Sequence, residues 1–477
     1  MYSREQEIVI EKFRRGENIF ITGPGGTGKT FLIKTLVDIF NEKSIAPLLE
    51  LGDETTATTN NRKKPYNKSP EIQVCALTGC AAILLDCNAT TLHSFSGIGL
   101  ANNSADVVVD RVCNNRAKKA KWKRVKCLII DEVSMLSLKI FNILDSIGRK
   151  AKSRPNIPFG GIQIVCSGDF FQLPPVGDDN EPETTQFCFE SPSWNLTFPP
   201  ESNQVVLRTI YRQQDDKYIN LLNRIRIGKI SKKDIACLEE CLTSNKANSN
   251  DDVLTKILPR RADVEFINRR EYNKLNQENE KVYRTLRIDV ELEAKLESKP
   301  ESLKNIDTKS VERDTDMEIE YEYLTKNILP AQELRLRIGS MVMCIINLDM
   351  EKGIVNGSQG RVIDFNESMS PIIKFNNGVI MPINPHTWTS EKISSVGVKQ
   401  IPLIYAWAIT IHKSQGLSLD SALIDIGTQI FEYGQTYVAL SRIRSLDGVY
   451  LQSFNYRKIK VNPTVKRFYD MLDSIDN

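Results

Sequence analysis

The alternation of apolar and polar positions opens the chain with an amphipathic helix, in which Ile8, Ile10 and Phe13 follow the charged stretch 3–7. Ser3 reads as its N-cap and Gln6 stands at the capping-box position. The Gln6 amide is equally suited to reading an adenine, so both roles stay open. The apolar run 18–22 predicts a short buried strand, and 31–40 predicts a second amphipathic helix. Continuous apolar runs at 72–77, 127–130, 162–166 and 419–426 have the character of parallel strands covered on both faces. Residues 406–411 alternate as a strand or short helix before a polar cluster. Order of another kind begins at 334–345, where short strands return. The segment 372–375, Asn376-Asn377-Gly378, 379–381 is the clearest hairpin signal in the chain. Short strands at this spacing predict a small β-barrel, either a DNA-contacting accessory or a spacer. Residues 52–70 lack apolar periodicity and predict a surface insertion; 283–323 is charged, poor in large apolar residues, and predicts a peripheral one.

Composition narrows the class without fixing the chemistry. A chain of 477 residues supports two or three domains. Its 63 Lys plus Arg against 60 Asp plus Glu give +3, so a nucleic-acid site has to come from local clustering. The run 111–126 supplies one such cluster, with eight basic residues around Trp122. It can be a solvated helix face, a patch that steers phosphates, or a nuclear signal by composition alone. Ten cysteines form no CxxC pair and several lie in strand-like runs, which predicts reduced, mostly buried thiols of an intracellular protein. Three histidines argue against a zinc site. No secretory or transit pattern and no apolar stretch of membrane-spanning length occur, so a soluble protein without membrane contact is expected, in nucleus, cytoplasm or a viral replication site.

The sharpest chemical signal is Gly23-Pro24-Gly25-Gly26-Thr27-Gly28-Lys29-Thr30, set between the predicted strand and helix. In a G-x-x-x-x-G-K-T loop, glycine backbones curl around a β-phosphate, the lysine meets the β/γ oxygens and the threonine hydroxyl is left for Mg²⁺. The following helix N-terminus adds partial positive charge. A buried strand ending in Asp131-Glu132 delivers two carboxylates to a sheet edge: Asp131 to hold Mg²⁺ through water, Glu132 to orient the attacking water. A second such strand ends near Asp169, and Gln172 follows, either sensing a γ-phosphate or stabilising the turn before two prolines. Arg212 and Arg442 are candidates for neutralising transition-state charge, with surface ion pairs the alternative. Thr78 ends the strand-turn 72–82, and His93 and Phe95 sit on a hydroxyl-rich, glycine-punctuated loop suited to a nucleic-acid backbone and a stacked base; a packed Phe95 and hydrogen-bonded core His93 are the alternative. His412, Lys413 and Ser414 can contact phosphates, with Gln415 and Gly416 near the nucleotide.

Taken together, GPGGTGKT, ALTGCAA with TLHSFSGIG, LIIDEVSM, GDFFQLPPV, IYRQ, AWAITIHKSQG and YVALSR resemble the petite-integration-frequency (PIF-type) DNA helicases, in the 5′-to-3′ branch of helicase superfamily one. The stretch 144–163, with Pro158-Phe159-Gly160-Gly161, resembles the segment that separates this family from its RecD-like relatives. The resemblance implies an α/β fold of two RecA-like P-loop domains with ATP between them, plus an inserted SH3-like β module. It divides the chain into a first domain at 1–200, with a wedge element near 97–118, and a second at 201–282 and 405–477. A charged insertion at 283–330 and the β module at 331–404 complete the division. The implied roles are Gln6 for adenine, Lys29 and Thr30 for phosphates and Mg²⁺, Asp131 and Glu132 for metal and water, and Gln172 for sensing. Arg212 and Arg442 are implied to reach the γ-phosphate from the second domain. Thr78, His93, Phe95, His412 and Lys413 are implied to lie in stretches that line the path of single-stranded DNA. The implied activity is ATP-dependent 5′-to-3′ unwinding in replication, repair or recombination, on single-stranded and tailed or forked duplex DNA. A protein-displacing translocase and a non-catalytic single-strand-binding scaffold are the rival readings. The insertions 52–70 and 283–330 exceed the family pattern and are expected sites for protein partners; a monomer is expected in solution.

Overall fold

The computed structural model describes residues 2–49, 71–77, 81–82, 85, 87, 89–99, 101, 103–178, 180–213, 215–243, 254–290, 315–328, 330–349, 351–390, 393 and 395–475. Thr78, the insertion 52–70 and the segment 291–314 lie outside them. Two compact units divide the chain. The first comprises Met1–Lys229, Glu432–Gly434 and Ile459–Asn477, the second Ile230–Phe431 and Gln435–Lys458.

Among the described residues, the first unit has six strands: β1 (Ile19–Thr22), β2 (Ile72–Ala76), β3 (Thr90–Thr91), β4 (Cys127–Asp131), β5 (Gln163–Gly168) and β6 (Gln204–Val206). Their order is β3-β2-β4-β5-β1-β6, and every pairing is parallel. The continuous apolar runs conceal a period of two. Ile19, Ile21, Cys127, Ile129 and Val165 join a core with α1 (Arg4–Arg14) and α2 (Lys29–Leu49). Phe20, Leu128, Ile130, Ile164 and Cys166 join the opposite core with the helix Leu138–Lys152 and the C-terminal helix Pro463–Ile475. With both faces covered, neither kind of position tolerates a polar side chain, and the alternation vanishes from the sequence. The parallel register brings the C-terminal ends of β1, β4 and β5 to one edge, where an open α/β sheet presents its ligand site.

The stretch resembling a family signature has a packing reason for its glycines. A Cβ on Gly148 would lie 2.6 Å from the Phe159 carbonyl oxygen, so the helix Leu138–Lys152 and the turn Pro158–Gly161 meet backbone to backbone. The Asp145 carboxylate fastens the contact, accepting from the Phe159 amide at 2.6 Å and the Ser193 hydroxyl at 2.7 Å.

The unit boundary corrects the expected one. Residues 201–229 and 459–477 belong with the phosphate loop, because β6 pairs with β1 and because Val465, Phe468, Tyr469 and Leu472 are buried in the first unit's core. The helices Ala105–Asn114 and Arg116–Arg124 occupy the region of the expected wedge.

The second unit has a four-stranded parallel sheet in the order Ala408–Thr410, Lys256–Leu258, Ala422–Ile426, Val449–Phe454. Its antiparallel part includes a five-stranded sheet ordered Ile380–Pro382, Pro371–Phe375, Gln359–Phe365, Met341–Cys344, Leu403–Tyr405. The expected hairpin is present, with Gly378 at φ +87° in the turn. The charged insertion starts later than its composition suggested. Lys281–Arg284 pairs with Glu333–Leu336, and Leu286–Asp289 pairs with Val396–Gln400, so residues 283–289 are part of the β module. Among the described residues no helix is long and apolar enough to cross a membrane.

Candidate nucleotide site

The loop 23–28 leaves the fully buried β1 and enters α2 at Lys29. Its glycines answer to close neighbours. A Cβ on Gly23 would fall 2.3 Å from the Leu207 carbonyl oxygen, and one on Gly26, at φ +89°, would fall 2.7 Å from Arg212 Cβ. The segment after β6 therefore walls the loop, with the Leu207 amide donating to the Thr22 carbonyl at 2.7 Å and the Tyr211 amide to the Gly26 carbonyl at 2.8 Å. Thr27, buried, donates through Oγ1 to the Pro24 carbonyl at 3.0 Å. Gln6 fulfils its capping role and reaches the loop as well. Its Oε1 accepts from the Ser3 amide at 3.1 Å, while its Nε2 donates to the Thr27 carbonyl at 3.3 Å. Pro24 and Gly25 are half-buried and Thr30 is exposed at the start of the helix.

Lys29 Nζ donates to the carbonyls of Gly23 at 2.8 Å and Pro24 at 2.9 Å, and an ammonium carries a third donor for a phosphate oxygen. Burial lowers the Lys29 pKa, and the charges of Asp169, Glu132 and Asp131 work against that lowering. Three carboxylates from the ends of two strands thus stand around one ammonium. Asp131 is buried, and burial followed by the neighbouring Glu132 charge pushes its pKa up to about 7. Glu132 itself adopts φ +56°, a left-handed conformation uncommon for a residue with a side chain and concentrated at functional sites. Gln172 is buried on the turn after β5, its amide donating to the Asp169 carbonyl at 2.9 Å.

Whether these groups suit Mg²⁺ can be judged from the donor set. The described residues contain no group of three or more His, Cys, Asp or Glu able to cage a metal ion. A hydroxyl at Thr30 and one buried carboxyl at Asp131 fit the way Mg²⁺ is held, by one or two protein oxygens, waters and substrate phosphates. A carboxyl raised towards neutral pH by burial and a like charge is also one that a cation would restore to its ionised form.

Other expected residues separate into those left accessible and those absorbed by the fold. Arg212 is half-buried beside Gly26, in the same unit as the loop, which corrects its placement in the second domain. Phe95 is corrected more sharply. It lies on the short helix Leu92–Ser96 where a loop was expected, and its ring is 2% exposed, packed 5.1 Å from Trp122 with the Lys121 ammonium 4.8 Å over its face, so here it is part of the core. His93 on the same short helix is half-buried, and burial lowers its pKa. In the second unit Lys413 and Gly416 are exposed and His412 is half-buried, whereas Ser414 is buried and donates to the Ile411 carbonyl at 2.7 Å. That bond shapes the turn and removes Ser414 from the expected phosphate contacts. Arg442 is buried too, donating through Nε to the Val438 carbonyl at 2.9 Å and through Nη2 to Ser441 Oγ at 2.8 Å.

Three features escaped the sequence reading: Tyr211 on the loop wall, the buried Asp169–Arg226 pair, and Phe431. The Phe431 ring is 61% exposed and stacks parallel to His412 at 6.5 Å. Asp169 offered a signal, being an acid at the end of a buried strand just as Asp131 is; Arg226 and Phe431 offered none.

Comparison with known proteins now bears on this geometry. The PIF1-like helicase pattern matches residues 63–236, and that of the DNA helicase Pif1 2B domain matches 321–365. The crystal structure of Pif1 helicase from Candida albicans is 30% identical, covers 99% of both chains and superposes with a TM-score of 0.68. The chain belongs to the PIF1-like helicase family. The ATP-dependent DNA helicase PIF1 of Xenopus laevis is 33% identical over 474 residues, 98% of this chain but 64% of that protein's length. Bacteroides Pif1 bound to single-stranded DNA is 28% identical, with a TM-score of 0.60 and coverage of 100% and 98%. The PIF1-like assignment accounts for the α/β units with parallel sheets and for the β module within the second.

Proposed function

We propose that the chain is an ATP-dependent DNA helicase motor that moves 5′-to-3′ along single-stranded DNA and opens duplex, serving replication, repair or recombination. The observation that carries this reading is Lys29 held in its loop by the Gly23 and Pro24 carbonyls, with Asp131, Glu132 and Asp169 around it. Lys29 and the amides entering α2 bind and orient the β- and γ-phosphates. Thr30 and Asp131 hold Mg²⁺, which when bound supplies charge neutralisation at the phosphate oxygens. Glu132 takes a hydrogen bond from the attacking water and aligns it, and Gln172 reports the γ-phosphate. Arg212 and Arg442 neutralise the charge that develops at the γ-phosphate. Gln6 serves the base side, and Gly416 belongs near the nucleotide. His93, His412 and Lys413 contact the single strand, with Thr78 the matching residue outside the described set; the relatives named above for DNA-helicase activity and for a bound single strand support DNA as the partner.

Opening DNA requires about 1.4 kcal/mol per base-pair step, so grip and release have to differ between nucleotide states. The test is ATPase activity with and without single-stranded DNA, for the wild-type chain and for Lys29→Ala. The expected result is hydrolysis strongly stimulated by the strand and lost in the variant, with single-strand affinity held within about threefold. ATPase indifferent to DNA would favour the scaffold reading, and substantial turnover by Lys29→Ala would remove the loop from the mechanism.

A further inference from the structure

Behind the phosphate loop, within the first unit, lies a polar knot that the proposed mechanism does not use. Its hub is the phenol of Tyr469, on the helix Pro463–Ile475. That oxygen lies 2.5 Å from Thr22 Oγ1, accepts from the Phe170 amide at 3.2 Å and faces Asp169 Oδ1 at 3.4 Å. One proton assignment satisfies every atom: Thr22 and Phe170 donate to the phenol oxygen, which donates to Asp169. Arg226 closes the knot, donating through Nε and Nη2 to the two Asp169 oxygens at 2.9 Å each. Its guanidinium lies 4.5 Å over Phe171 and 5.2 Å over Tyr469, and the two rings stack at 4.5 Å. Thr22 and Asp169 are fully buried and Tyr469 is nearly so.

The knot ties together elements far apart in sequence. Thr22 is the residue before Gly23, and Phe170 stands two residues before Gln172. Arg226 ends the helix by which the chain leaves the first unit after Lys229, and Tyr469 lies on the helix by which it returns at Ile459. A single hydroxyl therefore fixes the end of β1 against the turn after β5.

We propose that Tyr469 is a positioning residue for nucleotide hydrolysis, setting the spacing between the phosphate loop and the turn that carries Gln172. The inference rests on the ATPase reading of the loop. Tyr469→Phe keeps the stacked ring and removes only the oxygen that joins the Thr22 hydroxyl to the Phe170 amide. With single-stranded DNA at saturation, and at a temperature where circular dichroism shows all variants folded, kcat should fall about tenfold while KM for ATP stays within about twofold. Thr22→Val, which removes the partner hydroxyl, should show the same split, and the double variant should be no slower than the slower single one. A Tyr469→Phe kcat within about twofold of wild type, a rise in KM matching the fall in kcat, or losses that multiply in the double variant would each overturn the proposal. Lys29→Ala, assayed alongside, separates the two levels. Wild-type turnover that this variant does not abolish defeats the ATPase reading itself, whereas normal turnover in Tyr469→Phe alone defeats only the positioning role.

Discussion

Arg226→Met should loosen the first unit by an amount the structure allows to be sized. The Asp169 carboxylate is fully buried, the Arg226 side chain is 11% exposed, and the two are joined by paired hydrogen bonds of 2.9 Å. Methionine keeps most of the aliphatic stem and removes the charge, so Asp169 loses its hydrogen-bonded cation and keeps only the Lys29 charge nearby. Breaking such a pair on one side costs about 3–5 kcal/mol, and the lost contact over the Phe171 and Tyr469 rings adds about 0.5–2 kcal/mol. Native-state hydrogen exchange at the amides of β1 and β5 reads this locally, without requiring the two units to unfold together. Protection there should fall by roughly 400-fold to 10⁵-fold, since each 1.36 kcal/mol is a factor of ten. The partner change decides the cause. Asp169→Asn in the Arg226→Met background preserves the acceptor for the Phe171 amide, now 3.2 Å away, and removes the orphaned charge. The double variant should recover to within about 1–2 kcal/mol of wild type. Protection unchanged in Arg226→Met, or two losses that simply add, would refute the reasoning.

Gln6→Ala removes both the reciprocal cap of α1 and the bond to the Thr27 carbonyl. It should raise KM for ATP about tenfold with kcat nearly kept, and erode discrimination against GTP, both read by steady-state kinetics. Phe95→Ala should cost about 3–5 kcal/mol of stability in urea titrations, because the ring is core, while the salt dependence of DNA binding keeps its slope. Asp131 carries a pH prediction. A carboxyl whose pKa is raised to about 7 loses its charge as pH falls through that value, so Mg²⁺-dependent ADP affinity should weaken by up to about tenfold per unit below it. Isothermal titration across that range should show the slope, and Asp131→Asn should lack it. In the metal-free chain the same shift means that this group's contribution to stability declines as pH rises from 3.8 towards about 7.

The phosphate loop and the carboxylate edge were legible because their chemistry is local: strand, glycines, lysine and helix follow within a dozen residues, and Asp131 ends its own strand. The capping role of Gln6 was legible within one segment. What was not legible depended on partners distant in sequence. The pairing of β6 with β1 draws residues 201–229 into the first unit, and nothing within Gln204–Val206 names that neighbour. The apolar face Val465, Phe468, Tyr469 and Leu472 predicts burial without saying against what. Phe95 and Ser414 share one cause: an aromatic ring or a hydroxyl on a polar loop suits a nucleic acid and a packed turn equally, and here Trp122 and the Ile411 carbonyl take them. The strands at 281–289 were hidden by charge because they pair at the margin of the module, where their side chains remain exposed or half-buried.

The most direct test of the helicase reading is unwinding of three duplexes, bearing a 5′ tail, a 3′ tail or blunt ends, with ATP and Mg²⁺. The account predicts strand separation of the 5′-tailed duplex alone, abolished by Lys29→Ala. Preferential opening of the 3′-tailed duplex, or hydrolysis stimulated by single strands with no separation of any duplex, would contradict it.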